Sequence, residues 1–359
     1  MIGTGARAAT APAVDLTTDL AGFRAANPVF TASGCAAAGQ ELAQFFDPTE
    51  LGGIVTKSIM LTPRSGRATP RMAETPSGML NSIGLQGPGI DHFVEHDLPW
   101  LARHNARAVV SIAGDRAEDY VEVARRVADQ PGLAMLEVNI SCPNVADRGK
   151  VFACNPLAAA RVIRDLRRHV PIDVPVFAKL TPDVTDIVEI AQAVVDAGAD
   201  GLSLINTLLG MDIDTTTLRP TLAGTTGGLS GPAIRPVAVR CVWQVHAAMP
   251  HVPILGMGGI ATGADALQFL LAGASAVSVG TMVFHDPCAP VRVRDELAAE
   301  LARAGFSSVA EAVGYAHRPP ELRVPQGADP VGDAGTDPQG TTRPADVPDL
   351  DAPDQEAQR

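Results

Sequence analysis

Eight short apolar runs, several of them separated by helical patterns, constrain the fold more than any other feature of this chain. They are VFTASG (29–34), GIVTKS (53–58), VVSIAG (109–114), AMLEVNIS (134–141), VPVFAKL (174–180), GLSLIN (201–206), VPILGMGG (252–259) and AVSVGT (276–281). Each is β-rich and apolar over most of its length, as expected of parallel strands covered on both faces. Between several of them, AEDYVEVARRVAD, PLAAARVIRDLRRHV, TDIVEIAQAVVDAG and GADALQFLLAG place apolar residues at intervals of three and four, the helical spacing. Pro156 after Asn155, and Thr185, are suitable helix starts. Gly198 and Gly273 follow the last turns, where a left-handed residue is wanted. Eight strands alternating with helices predict an α/β fold, a (β/α)8 TIM barrel. The competing architecture, an open doubly wound sheet, usually has fewer strands and a GxGxxG after the first, and no such fingerprint follows VFTASG.

Two connections are too long to be simple crossovers, residues 59–108 and 207–251. Inserts that follow barrel strands fall on the catalytic face, so these are expected to cover the substrate. With 359 residues and 46% hydrophobic content, the chain can bury one sizeable barrel. Its net charge of −12 provides no basic stripe for phosphates and argues against nucleic-acid binding. Half of that charge lies between Pro319 and Arg359, where nine acidic residues face three basic ones among eight prolines. Such a segment reads as a disordered acidic tail. The expected division is a flexible extension over 1–14, a barrel domain over 15–318 and the tail over 319–359. No signal-peptide stretch opens the chain and no run of about 18 apolar residues crosses a membrane. The five cysteines (35, 142, 154, 241, 288) form no CxxC pair, which disfavours a metal or cluster held by this chain alone. A reduced cytoplasmic enzyme is the expectation.

The polar residues gather where strands end. Ser33, Lys57, Asn139, Lys179, Asn206, Gly258, Gly259, Gly280 and Thr281 all fall at or near the C-terminal ends of predicted strands, which converge on one mouth in a barrel. A single lysine at a strand end is more often a snorkelling surface residue. Two lysines and two asparagines at four converging ends instead describe a pocket for a planar, anionic, hydrogen-bond-rich ligand. GMGGI after the seventh strand and GT after the eighth have the character of a phosphate cradle, where glycines let backbone N–H groups approach and a helix beginning near TGADAL adds its dipole. Cys142 sits three residues beyond Asn139 in NISCPN, held extended by the following proline. A cysteine in an apolar run is usually inert core; one among polar neighbours at a loop start can act as base or nucleophile, and spacing alone leaves both open. The other four cysteines lack that setting and read as structural.

NISCPN, with FAKLTPDVTDI, INTLLGMDID, GGLSGPAIRP, GMGGI and ETPSGMLNSIGLQGPG, resembles the class 1 dihydroorotate dehydrogenases over about residues 27–287, with the motifs in family order. NTLLG running into GGLSGPAIRP resembles the 1B branch, a catalytic subunit that works with a separate iron–sulfur flavoprotein. The resemblance implies FMN as cofactor, and Cys142 as the base that takes a proton from C5 of dihydroorotate while hydride leaves C6 for FMN N5. It implies that Lys57, Asn81, Ile83, Gly84, Leu85, Asn139, Asn144, Asn206 and Thr207 contact the substrate. FMN contacts are implied at Ser33, Lys57, Ser58, Asn139, Lys179, Ile205, Gly231, Gly258, Gly259, Gly280 and Thr281, with Lys179 near the flavin N1/O2 edge. A homodimer is implied, joined by a partner that carries FAD and a [2Fe–2S] cluster and delivers electrons to NAD+.

The sequence departs from the family at Gly87, where asparagine is usual, so no contact is carried over there; the aromatic-rich stretch after ASG is here CAAAGQELAQFF. Among rivals, a dihydropyrimidine dehydrogenase-like flavoenzyme shares the barrel and base cysteine but typically has histidine where this chain has Asn144. A fumarate-using class 1A-like enzyme is a nearer alternative. A class 2 enzyme would carry an N-terminal hydrophobic helix and a serine base. A scaffold barrel with a vestigial pocket would have no reason to keep Cys142, both lysines and four asparagines together.

Overall fold

The computed structural model describes residues 14–141 and 152–319. The N-terminal extension up to residue 13, the segment 142–151 that carries Cys142 and Asn144, and the tail from residue 320 lie outside the described residues.

The eight runs form one parallel sheet. Its strands are β1 Val29–Thr31, β2 Ile54–Val55, β3 Ala108–Ile112, β4 Leu133–Asn139, β5 Val176–Leu180, β6 Gly201–Leu204, β7 Ile254–Met257 and β8 Ala276–Val279. Hydrogen-bonded order runs β1-β8-β7-β6-β5-β4-β3-β2, and a parallel bridge from Phe30 to Gly53 closes the ring. That seam is short of ladder bonds, and the Thr31 hydroxyl replaces two of them: it accepts from Val55 N at 2.9 Å and donates to Val55 O at 3.3 Å. Glycine is required beside it, because a Cβ on Gly53 would stand 2.8 Å from the Phe30 ring.

Helices α1 Leu98–Arg103, α2 Ala117–Ala128, α3 Pro156–Arg167, α4 Ile187–Asp196, α5 Arg235–Ala248, α6 Gly263–Leu271 and α7 Ala289–Arg303 surround the sheet. The first crossover has only 3-10 turns at Leu42–Gln44 and Pro48–Glu50. Asn155 caps α3 by accepting from Ala158 N at 3.0 Å, as expected of an asparagine before Pro156. The cap of α4 is Asp186 rather than Thr185; its carboxylate accepts from Val188 N at 2.8 Å, a stronger acceptor one residue closer to the helix. Gly198 and Gly273 adopt φ of +106° and +114°, the positive values a helix exit needs.

Strand alternation builds two cores. Leu136, Val138, Leu202, Leu204, Val277 and Val279 face the helices, while Phe30, Val55, Val109, Met135, Phe177 and Leu255 fill the barrel. The antiparallel pair Thr18–Leu20 and Phe23–Ala25 contributes Leu20 and Phe23 to the inner core. The two long inserts meet in a four-stranded antiparallel sheet, ordered Leu208–Met211, Thr226–Ser230, Gly78–Asn81, Met72–Thr75. One insert supplies two strands and the other supplies two, so neither half of this cover is complete alone.

Candidate active site

Strand geometry brings ten of the predicted residues to one opening. Ser33, Lys179, Ile205, Asn206, Thr207, Gly231, Gly258, Gly259, Gly280 and Thr281 line a single cavity of about 400 Å³ at the C-terminal end of the barrel, roofed by Glu74, Thr75, Gly78, Met79 and Ser230 of the cover. That volume lies within the range of small-molecule sites. Ala32, Ile205 and Met257 supply apolar lining.

Lys179, only 3% exposed, donates to Ser33 Oγ at 2.9 Å and lies 3.5 Å from Glu137 Oε1. Lys57 Nζ comes within 3.7 Å of where a Cβ on Gly34 would stand, beside Ser33. In the same lining Gly258 (φ +131°), Gly259 (φ +76°) and Gly231 (φ +93°) adopt backbone that other residues rarely tolerate. A Cβ on Gly259 would lie 2.7 Å from Gly231 O, so the two loops touch backbone to backbone. Arg235 holds this corner, pairing with Asp265 at 2.7 Å. Asp265 in turn accepts from Ala261 N and Thr262 N, each at 3.0 Å, ordering the loop into α6.

A hydrogen-bonded chain crosses the strand ends. Ser111 and Ser58 hydroxyls lie 2.9 Å apart, and Asn139 Nδ2 donates to Ser58 Oγ at 3.0 Å. Ser141 Oγ donates to Asn139 Oδ1 at 2.7 Å, Asn206 Nδ2 donates to Ser141 Oγ, and Asn206 Oδ1 accepts from Thr207 N at 2.8 Å. Tyr120 of α2 fixes the base of this chain by donating to Asn139 O at 2.9 Å. Each asparagine is thereby held in one amide orientation. Ser111 and Ser141 were not singled out in the sequence, although Ser141 stands inside NISCPN, directly before Cys142.

Asn81 belongs to the cover, where it donates to Gly228 O at 3.3 Å. Ile83 O accepts from Arg67 N at 3.0 Å, and Gly84 and Leu85 follow with φ of +77° and +53°. These four do not line the cavity, and neither do Lys57, Ser58 and Asn139. Cys142 and Asn144 lie outside the described residues. At Gly87 a Cβ would meet nothing within 4 Å, so the backbone there does not demand glycine.

Cys35, read from sequence as structural, instead lines the cavity. Burial pushes its thiol up to about 11, against the opposing pull of Lys179 and Lys57. It is a protonated thiol at neutral pH and no nucleophile. Cys241 is buried, whereas Cys154 and Cys288 are exposed. No group of three metal-ligating side chains occurs among the described residues.

A closed parallel barrel with a buried lysine, an amide network and a glycine cradle at one mouth defines a TIM-barrel enzyme with a cofactor-sized site. The family model for dihydroorotate dehydrogenase matches residues 15–301. A dihydroorotate dehydrogenase B (NAD(+)) catalytic subunit from Bacillus cereus (strain G9842) is 50% identical over 299 residues, covering 83% of this chain and 96% of that protein. The protein of the same name from Bacillus thuringiensis (strain Al Hakam) is 49% identical over the same shares. This chain belongs to the dihydroorotate dehydrogenase family, and is an oxidoreductase.

Proposed function

We propose that this chain is the catalytic subunit of a two-component dihydroorotate dehydrogenase. It oxidises dihydroorotate to orotate in pyrimidine biosynthesis, with FMN as cofactor, and electrons leave for NAD+ through a partner subunit bearing FAD and a [2Fe–2S] cluster. The observation that carries the reading is the cavity itself: one lining brings together a lysine–serine pair, a glycine cradle and apolar side chains. Ser278 Oγ, buried and unpartnered among the described residues, lines the same cavity and suits a bound group with hydrogen-bonding edges.

FMN held there would supply the two-electron acceptor. The contact set is the one given above, from Ser33 to Thr281, with the backbone at Gly258, Gly259, Gly280 and Thr281 taking the phosphate. Lys57, Asn81, Ile83, Gly84, Leu85, Asn139, Asn144, Asn206 and Thr207 hold the pyrimidine ring and its carboxylate. Preset amides orient a flat anion without reorganising when it binds. Cys142 takes the C5 proton; it follows directly on Ser141, whose hydroxyl links Asn139 to Asn206. The working unit is a cytoplasmic homodimer that recruits two partner subunits. No helix among the described residues is long and apolar enough to cross a membrane.

Anaerobic mixing of the purified yellow chain with dihydroorotate tests the reading: the flavin absorbance should bleach. A colourless protein, or one that dihydroorotate leaves oxidised, defeats it. NAD+ reduction should require the added partner, and fumarate-dependent turnover by the chain alone would move it to the 1A-like alternative.

A further inference from the structure

Glu137 is shut completely from solvent, at 0% exposure, and has no part in the chemistry above. Alternation along β4 turns Met135, Glu137 and Asn139 into the barrel, since Leu136 and Val138 pack against the helices. The ladder registers locate it further. Glu137 pairs with Phe177, Phe177 with Gly201, Ser203 with Leu255, Leu255 with Ala276, Ser278 with Phe30. With about one residue of shear gained per strand, as in other eight-stranded barrels, Glu137 shares a layer with Val55, Ser203 and Ser278. Below it lies an apolar layer that includes Phe30, Val109, Phe177 and Leu255. Above it is the cavity floor, with Ala32, Lys179 and Met257.

Neither carboxylate oxygen of Glu137 has a hydrogen-bond partner among the described residues, and the hydroxyl of Ser203 has none either. The opposite charge beside it is Lys179, with Nζ 3.5 Å from Oε1. That separation exceeds the roughly 2.7–2.9 Å of a charge-assisted hydrogen bond. Lys179 gives its short hydrogen bond to Ser33 instead. Glu137 therefore acts on Lys179 through space, in a buried layer where salt screens little.

We propose that Glu137 is the counter-charge that sets the field of Lys179 at the cofactor, a positioning residue for electron transfer; this rests on the functional reading above. Alone, Lys179 would present a whole positive charge to the cavity. Paired with Glu137 it presents something closer to a dipole. A cation beside a group that gains electrons holds them there, whereas a cofactor that takes two electrons from substrate must release them to a partner. Glu137 weakens that hold.

The test is the midpoint potential of FMN bound to the full chain, measured spectroelectrochemically. Glu137→Gln keeps the shape and removes the charge. It should retain FMN and shift the reduction equilibrium about tenfold toward the reduced form, about 30 mV positive for a two-electron couple. Lys179→Gln should shift it negative, so the two substitutions move the potential in opposite directions. If Glu137→Gln alone does not fold, the double variant should, with its Tm near that of wild type, because no uncompensated charge remains; failure of that rescue overturns the pairing. Normal flavin reduction with an unmoved Glu137→Gln potential overturns this inference alone. A wild-type chain that binds no FMN overturns the functional reading and this inference with it.

Discussion

Asn139 and Ser141, two residues apart at the exit of β4, are joined side chain to side chain at 2.7 Å. The bond makes Ser141 the link between β4 and β6, since Asn206 donates to the same hydroxyl. Asn139 also reaches Ser58 after β2, so one buried amide ties together three strand ends.

Asn139→Ala leaves Ser58 and Ser141 each short of a partner. Unpaired buried polar groups cost about 1–3 kcal/mol. Urea denaturation should show a loss of that size, and dihydroorotate KM should rise at least tenfold as Asn206 loses its fixed orientation. A KM unchanged from wild type would remove the network from substrate binding.

Ser33→Ala removes the hydroxyl that accepts from Lys179 at 2.9 Å. A hydrogen bond to a charged group contributes about 1.5–3 kcal/mol, but water entering the cavity mouth can replace part of it. FMN affinity, read by fluorescence on release, should fall about tenfold with little change in Tm.

Gly259 and Gly87 should behave oppositely. Gly259→Ala forces a Cβ to within 2.7 Å of Gly231 O at φ +76°, and should lose FMN on gel filtration. Gly87→Asn meets open space and should keep both FMN and a stability within about 0.5 kcal/mol of wild type.

Cys35 gives a pH signature. Its thiol ionises near 9.0 when unfolded but only at about 11 when folded. Between those values the unfolded chain has released a proton that the folded chain still holds, so stability falls as pH rises through that window. Denaturation at pH 8.5, 10 and 11 should show a steeper fall for wild type than for Cys35→Ala. Parallel slopes would place the thiol in an ordinary environment.

Cys142→Ala should keep bound FMN and lose rapid bleaching by dihydroorotate, with stopped-flow absorbance as the measurement. Reduction at the wild-type rate would take the thiol out of the mechanism.

Every one of the eight strands was legible in the sequence, because a parallel strand covered on both faces is apolar over most of its length, and short β-rich runs such as VPVFAKL show it. The four helices with regular three–four spacing were legible for the same reason. Helix α5 was not: Pro236 in its first turn and polar residues around Gln244 and His246 blur its period. The convergence of Lys179, Asn206 and the Gly258–Gly259 pair followed from strand ends alone, since parallel strands closed into a barrel present their C-terminal ends together.

Closure decided the rest. That Glu137 lies under Lys179 depends on the shear of the ring, which sets the level at which residues of alternate strands meet; no local period carries that information. The same holds for Cys35, drawn to the cavity by the turn after β1, and for the cover sheet, whose strands come from inserts more than a hundred residues apart. Sequence by itself determined which segments are strands and which polar residues stand at their C-terminal ends, because both are read from a few neighbouring residues. Only the tertiary structure decided which inward residues share a layer, because that is a property of the closed sheet as a whole.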